Sequence, residues 1–163
     1  MILFTKVSIL FVCMGNLCRS PTAEAVFAQQ VASARLKRAV RVASAGTHVG
    51  IRGDPADLRA VRAAARRGYD MSRARTRPLQ LADFRRFDYL LAMDQKNLVQ
   101  LQHDCPRSDT PTLELFTAYG TAGEAIGIPD PYYGAPQGFE RVLDMVEDAA
   151  QGLLRHIREQ YSL

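Results

Sequence analysis

Short apolar runs alternate along this chain with stretches whose apolar positions recur every three or four residues. Val7 to Val12 is followed by a helical pattern from Pro21 to about Ala34. Val40 to Ala45 is followed by one from Pro55 to about Arg67, and Tyr89 to Met93 by one from Gln95 to about His103. Strands buried on both faces need helices to return the chain and to cover the sheet, so this alternation predicts a parallel sheet wrapped by helices. Thr112 to Phe116 reads as a short fourth strand. The last helix has the clearest pattern, with Phe139, Val142, Leu143, Val146, Ala150, Leu153, Ile157 and Tyr161 on one face.

Local signals predict the helix ends. Ser20-Pro21, Asp54-Pro55 and Asp94 each place a capping side chain before a helical pattern, and Gly68 stops the second helix. The predicted fold is therefore α/β, a doubly wound parallel sheet with helices on both faces, in a single domain spanning 1–163. A chain of 163 residues, 47% hydrophobic, is long enough for one such core, and it contains no repeats or low-complexity segments. From Phe116 to Gly138 the pattern has little periodicity and includes Ile128-Pro129-Asp130-Pro131-Tyr132-Tyr133-Gly134. Long ordered loops in small domains are usually functional.

Ligands of open parallel sheets sit beyond the carboxyl ends of the strands, where the strand order reverses. The end of the first strand carries Cys13-Met14-Gly15-Asn16-Leu17-Cys18-Arg19, a thiol and a guanidinium separated by five residues. A nicotinamide-binding loop is excluded, because Gly15 stands alone where three spaced glycines are needed. A strand-to-helix loop turns backbone N–H groups inward, and the helix start adds partial positive charge, so the segment reads as a phosphate cradle. Arg19 is suited to grip two anion oxygens at once. The same field favours thiolate over thiol, which makes Cys13 the candidate nucleophile. The alternative is a buried structural cysteine at a strand end. Cys18, in the same short loop, is a candidate partner for an oxidised Cys13, against a role in packing alone.

A cysteine attacking phosphorus needs a proton donor for the departing oxygen. Asp130 is the leading candidate, because prolines on both sides restrict its backbone. An ordinary Pro-Asp-Pro turn is the alternative.

The formal charge of +4 favours anionic partners in general. Nucleic acid is not expected: the densest basic groups, Arg35-Leu36-Lys37-Arg38 and Arg73-Ala74-Arg75-Thr76-Arg77, lack interleaved aromatics and read as solvated surface. Three cysteines without a disulfide-scaffold spacing point to a reducing, cytoplasmic setting. No segment is long enough to span a membrane, and removing the N-terminal apolar stretch as a signal peptide would destroy the Cys13 loop. The histidines lie far apart in the sequence and lack ligand spacing, so neither a metal nor a cofactor is expected. A monomer is expected.

Taken together, the residues resemble those of the low-molecular-weight protein-tyrosine phosphatases over nearly the whole chain. Val12-Cys13-Met14-Gly15-Asn16-Leu17-Cys18-Arg19-Ser20-Pro21 is similar to the family's signature loop, and Ser44-Ala45-Gly46-Thr47 to the segment after its second strand. Ala92-Met93-Asp94 with Asn97 is similar to its third strand and helix, and Asp130-Pro131-Tyr132-Tyr133 to its acid loop. The resemblance implies a four-stranded parallel sheet, no metal, and phosphotyrosine-containing proteins as substrates, with phosphate and oxyanion analogues as ligands. It implies attack by Cys13 to form a phosphocysteine, with Asp130 as acid and then base. Arg19 and the N–H groups of Met14, Gly15, Asn16, Leu17, Cys18 and Arg19 would bind phosphate. Asn16 would brace the loop, Ser20 would hydrogen-bond the thiolate, and Tyr132 and Tyr133 would flank the mouth.

Two segments depart from the family pattern. Many members carry an aromatic near the position of Val49, whereas here Thr47-His48-Val49-Gly50 leaves His48 as the candidate for that part of the rim. Arg75-Thr76-Arg77-Pro78 stands where the family often has Arg-Ala-Arg-Gln. A thiol-coupled arsenate reductase shares the fold but needs two further cysteines in a mobile segment, and only Cys105 is available. A non-catalytic phosphoprotein-binding module would keep Arg19 without needing Cys13 or Asp130.

Overall fold

In a computed structural model, which describes residues 4–121 and 126–163, the first strand, β1 (Val7–Cys13), is buried along its whole length. A strand can be so only at the centre of a sheet covered on both faces. It pairs in parallel with β2 (Val40–Gly46) on one side and β3 (Tyr89–Ala92) on the other, and β4 (Thr112–Leu115) pairs in parallel with β3, giving the order β2-β1-β3-β4. The strand order reverses at β1, which opens a crevice at its carboxyl end.

The helices are α1 (Arg19–Ser33), α2 (Leu58–Arg66), α3 (Asp83–Arg86), α4 (Gln95–Asp104) and α5 (Gln137–Tyr161). Alternate β1 side chains enter two cores. Val7, Ile9, Phe11 and Cys13 pack under α1, α2 and α5, with Phe11 edge-on to Phe27 and Phe116. Leu10 and Val12 pack on the opposite face, with Phe84, Phe87, Leu98 and Leu101 of the α3 and α4 region. Arg67 at the end of α2 pairs with Glu140, Asp144 and Glu147 of α5, which pins that helix end against the sheet cover. Among the described residues, no helix is long and apolar enough to cross a membrane.

Two predicted helix starts are corrected. The first helix begins at Arg19, so Ser20 is not its cap; Cys18 occupies the cap position without a side-chain cap bond, and the Ser20 hydroxyl turns toward the Cys13 loop. The second helix begins at Leu58, capped by Asp57, whose Oδ1 accepts from Arg59 N at 2.9 Å. Asp54-Pro55 serves the preceding loop: Asp54 N donates to Thr76 Oγ1, and Pro55 forms an isolated bridge with Arg75. Asp94 does cap α4, in a full capping box with Asn97, and Gly68, at φ 85°, lies just past the end of α2. The fourth strand stops at Leu115, because Phe116 opens a short 3-10 helix, Phe116–Tyr119, and turns its ring onto Phe11. That 3-10 helix and the four-residue α3 are too short to show a period in sequence. Within the aperiodic stretch between Phe116 and Gly138, residues 122–125 lie outside those described.

Gly152, in the middle of α5, marks where the chain after β4 comes closest to that helix, since a Cβ there would collide with the main-chain carbonyl of Tyr119. Replacing an exposed mid-helix glycine with alanine normally stabilises by about 1 kcal/mol. Here the sign is expected to reverse: Gly152→Ala should lower the urea midpoint of unfolding, and an unchanged or higher midpoint would contradict this packing.

Candidate active site

The Met14–Cys18 loop leaves the centre of the sheet with its carbonyls tied outward. Cys13 O accepts from Thr47 N, Met14 O from His48 N, Leu17 O from Asp57 N and Cys18 O from Thr22 N, at 2.8–3.2 Å. Among the described residues, the N–H groups of Met14 through Cys18 make no main-chain hydrogen bond. With the start of α1 directly behind them, these donors form a nest for an anion. The turn needs Asn16 at φ 57°, a left-handed backbone that asparagine tolerates better than most residues. Its side chain holds the turn from behind: Nδ2 donates to Ser20 Oγ at 2.8 Å and to Ser44 Oγ at 3.1 Å, and Oδ1 accepts from Arg77 N at 3.0 Å.

A cavity of about 240 Å³ opens above this loop, lined by Cys13, Met14, Gly15, Leu17, Cys18 and Arg19 on its floor side and by His48, Asp130, Tyr132 and Tyr133. Gly50, Ile51, Asp54 and Thr76 complete the lining. The structure thus brings every predicted site residue to one cavity except Asn16 and Ser20, which stand behind the loop. Cys13 is 3% exposed, with Sγ 3.0 Å from Ser20 Oγ. Cys18 is also buried, and desolvation, followed by the fields of Asp57, Cys13 and Asp130, pushes its thiol well above the ordinary range, so it stays protonated at neutral pH. Cys105 does not line the cavity; it ends α4, where burial also raises its thiol.

Arg19 is almost fully buried and is aimed by groups distant in sequence. Its Nη1 donates to Asp94 Oδ2 at 2.6 Å and to the Ile128 carbonyl at 3.0 Å, while Nη2 lies 3.6 Å from Asp130 Oδ2. Asp94 therefore serves two ends at once, since its Oδ1 caps α4 through Asn97 N. Ile128 N in turn donates to Met93 O at 2.7 Å, so the loop carrying Asp130 is tied to the end of β3. Gly127 permits this approach: a Cβ there would lie 2.9 Å from Asp94 Cα. Asp130 is half-exposed, and its Oδ1 accepts from Tyr132 N at 3.1 Å, which fixes the carboxyl over the cavity. Pro129 and Pro131 leave that turn few alternatives.

The two tyrosine rings meet edge to face at 4.8 Å, with Tyr133 94% exposed. Arg59 braces them, its guanidinium 5.3 Å over the Tyr132 ring, donating to Tyr132 O and paired with Asp57. Asp94 as the Arg19 anchor, Arg59 as the rim strut, and Ile51, Asp54 and Thr76 as wall residues were not identified from sequence. Asp94 carried a helix-cap signal, but its partner is 75 positions away. An oxyanion placed in the nest would meet amide donors, the Arg19 fork and a sulfur below, with a carboxyl above. Among the described residues, no group of three or more His, Cys, Asp or Glu side chains is placed to hold a metal ion.

The family model described as "Low molecular weight phosphotyrosine protein phosphatase" matches residues 8–163. A low molecular weight protein-tyrosine-phosphatase of Streptomyces coelicolor is 42% identical over 153 residues, covering 92% of this chain and 93% of the relative. The low molecular weight phosphotyrosine protein phosphatase of Homo sapiens is 41% identical over 137 residues, covering 83% and 85%. A crystal structure of protein tyrosine phosphatase from Entamoeba histolytica, with Hepes in the active site, superposes with a TM-score of 0.89 at 37% identity, covering 94% of this chain and 98% of the other.

The loop geometry makes a stability prediction. Asn16→Gly removes the three side-chain bonds but suits the left-handed backbone, whereas Asn16→Ala removes the bonds and adds about 1 kcal/mol of strain. Chemical denaturation is expected to rank wild type above Asn16→Gly above Asn16→Ala. Equal stability of the two variants would mean that the turn is not held left-handed.

Proposed function

The chain belongs to the low molecular weight phosphotyrosine protein phosphatase family, and from that premise we propose that it hydrolyses phosphotyrosine in proteins through a phosphocysteine on Cys13. One observation carries the reading: a sulfur within hydrogen-bond reach of a serine hydroxyl lies at the foot of a loop whose N–H groups have no main-chain partner among the described residues, with a buried arginine held beside them. That combination favours a bound phosphate dianion and sets a sulfur nucleophile beside it.

In the proposed first step the Cys13 thiolate attacks phosphorus. The P–S bond forms as the P–O bond to tyrosine breaks, and Asp130 gives its proton to the leaving phenolic oxygen. In the second step the Asp130 carboxylate takes a proton from water, the water oxygen attacks phosphorus, and the P–S bond breaks to return the thiolate and inorganic phosphate. The loop N–H groups and the Arg19 fork stabilise the charge on the three equatorial oxygens in both transition states. Asp94 keeps Arg19 aimed without touching substrate.

Cavity lining supports an aryl substrate. The cavity that holds Cys13 and Arg19 is also lined by Tyr132, Tyr133, His48 and Ile51, ring and apolar groups that the aryl body of phosphotyrosine contacts and the smaller phosphoserine lacks the surface to reach. The aromatic that many family members carry near Val49 is absent here, and His48 and Ile51, on either side of that position, line the cavity.

Turnover of a leaving-group series tests the assignment. Cys13→Ser is expected to abolish hydrolysis while retaining binding of phosphate analogues. Asp130→Asn should slow esters of high leaving-group pKa by about 10²-fold or more and activated aryl esters much less, because only the former need a proton in the transition state. Activity surviving in Cys13→Ser, or equal losses across the series in Asp130→Asn, would refute the respective roles.

A further inference from the structure

Four hydrogen bonds lead from the Cys13 sulfur away from the cavity, into the seam between α1 and β2. Ser20 Oγ is 3.0 Å from Cys13 Sγ, and Asn16 Nδ2 donates to both Ser20 Oγ and Ser44 Oγ. Ser44 Oγ then donates to Glu24 Oε2 at 2.6 Å. The path ends on a half-buried carboxylate of α1, one turn beyond Ser20, that no step of the proposed reaction uses.

Donor and acceptor capacities fix the direction of every link. Asn16 Oδ1 accepts from Arg77 N, so the amide nitrogen, which only donates, faces the two serines. Each serine oxygen accepts from that amide and must place its own proton elsewhere. For Ser44 the acceptor is Glu24 Oε2. Without it the Ser44 proton would compete with the amide donor for the same space, and the amide would lose its orientation. For Ser20 the acceptors in reach are the Cys13 sulfur and, more distantly at 3.4 Å, Ala45 O. A correctly oriented amide leaves the Ser20 proton for the sulfur.

We infer that Glu24 is a positioning residue for the nucleophile: by accepting the Ser44 proton it fixes the Asn16 amide, and through it the Ser20 hydroxyl as donor to Cys13. The inference rests on the proposed role of Cys13. Among the described residues, the cation whose field reaches Glu24 is Arg77, which is itself paired with Asp83. Burial outweighs that field and the Ser44 bond, raising the Glu24 pKa above the usual carboxylate value. A carboxyl group at this depth is therefore a costly choice, and packing alone does not account for it. Ser20 lies at the Cys13 sulfur, and the charged or titratable groups lining the same cavity are Cys18, Arg19, His48, Asp54, Asp130, Tyr132 and Tyr133.

The test reads the thiolate directly, through the pH dependence of Cys13 alkylation by iodoacetate, with the modified residue mapped by mass spectrometry and folding followed by thermal denaturation. Glu24→Leu should raise the titration midpoint and slow alkylation near neutral pH about fivefold, the worth of one lost hydrogen bond. Glu24→Gln keeps an oxygen for the Ser44 proton and should stay within about twofold of wild type. Ser44→Ala should reproduce the effect of Glu24→Leu, and adding Glu24→Leu to it should change nothing further. If Glu24→Leu and Glu24→Gln both lower the midpoint, Glu24 acts only as a like charge through space, and unchanged profiles would make it a packing residue; either result overturns the inference. So does an unchanged profile in Ser44→Ala, which decides the matter even if Glu24→Leu fails to fold. Wild-type Cys13 alkylating like an ordinary thiol would instead overturn the nucleophile assignment, a separate result.

Discussion

The molecule is organised around a loop whose amide hydrogens have no main-chain partner among the described residues. Such a turn is costly in isolation, because it strands main-chain donors and needs a left-handed residue at Asn16. It persists because its surroundings over-determine it. The carbonyls of Cys13, Met14, Leu17 and Cys18 are each claimed by a neighbouring N–H, and the Asn16 side chain makes three hydrogen bonds, both of its N–H donors included. The central place of β1 follows from the same demand, since a strand buried on both faces gives the loop an immobile root, with β2 and β3 beside it to supply the groups that tie it down.

The second constraint is a buried guanidinium. Arg19 lies almost wholly out of water, where an unpaired charge would be strongly destabilising. Asp94 answers that charge while leaving Nη2 turned toward Asp130, so one carboxylate neutralises and the other stands over the cavity at longer range. Because Asp94 also caps α4, and Ile128 O also accepts from Arg19, the second half of the chain is fastened to the anion site through the arginine itself. In the proposed mechanism anion binding and folding draw on the same few contacts. The two loop cysteines differ in kind under this arrangement: Cys13 has a hydroxyl at its sulfur, and Cys18 is held as a thiol by burial and neighbouring carboxylates.

The sheet was legible in sequence because strands buried on both faces must be continuous apolar runs, and Val7–Val12 and Tyr89–Met93 could be little else. The Cys13 to Arg19 spacing was legible for a similar reason, since strand, loop and helix follow one another without a gap. The errors arose where one residue type has two uses. Ser20 looks like a cap, but its hydroxyl is needed at the sulfur, and Asp54-Pro55 looks like a helix start, whereas Asp57, three residues later, takes the helix. Pairings across the fold left no local trace: Arg19 with Asp94, Arg59 with the Tyr132 ring, and Ser44 with Glu24 join segments that only the sheet order brings together. Asp130 was visible through its flanking prolines, yet its place over Arg19 depends on the bond from Ile128 to Met93, which no spacing encodes.

The chemistry proposed for this site makes one commitment that its rivals do not, namely that the phosphoryl group passes through a covalent bond to the Cys13 sulfur. Direct attack by water on a bound ester would use the same nest and the same arginine but would leave the sulfur untouched. The deciding measurement is an acid quench during steady turnover of an aryl phosphate, followed by peptide mapping by mass spectrometry. A phosphoryl group is expected on Cys13, accumulating when chemistry outpaces hydrolysis of the intermediate, and absent from Cys18 and Cys105. Turnover that proceeds with no phosphocysteine at any quench time, and with inversion of configuration at a chiral phosphoryl group, would contradict it.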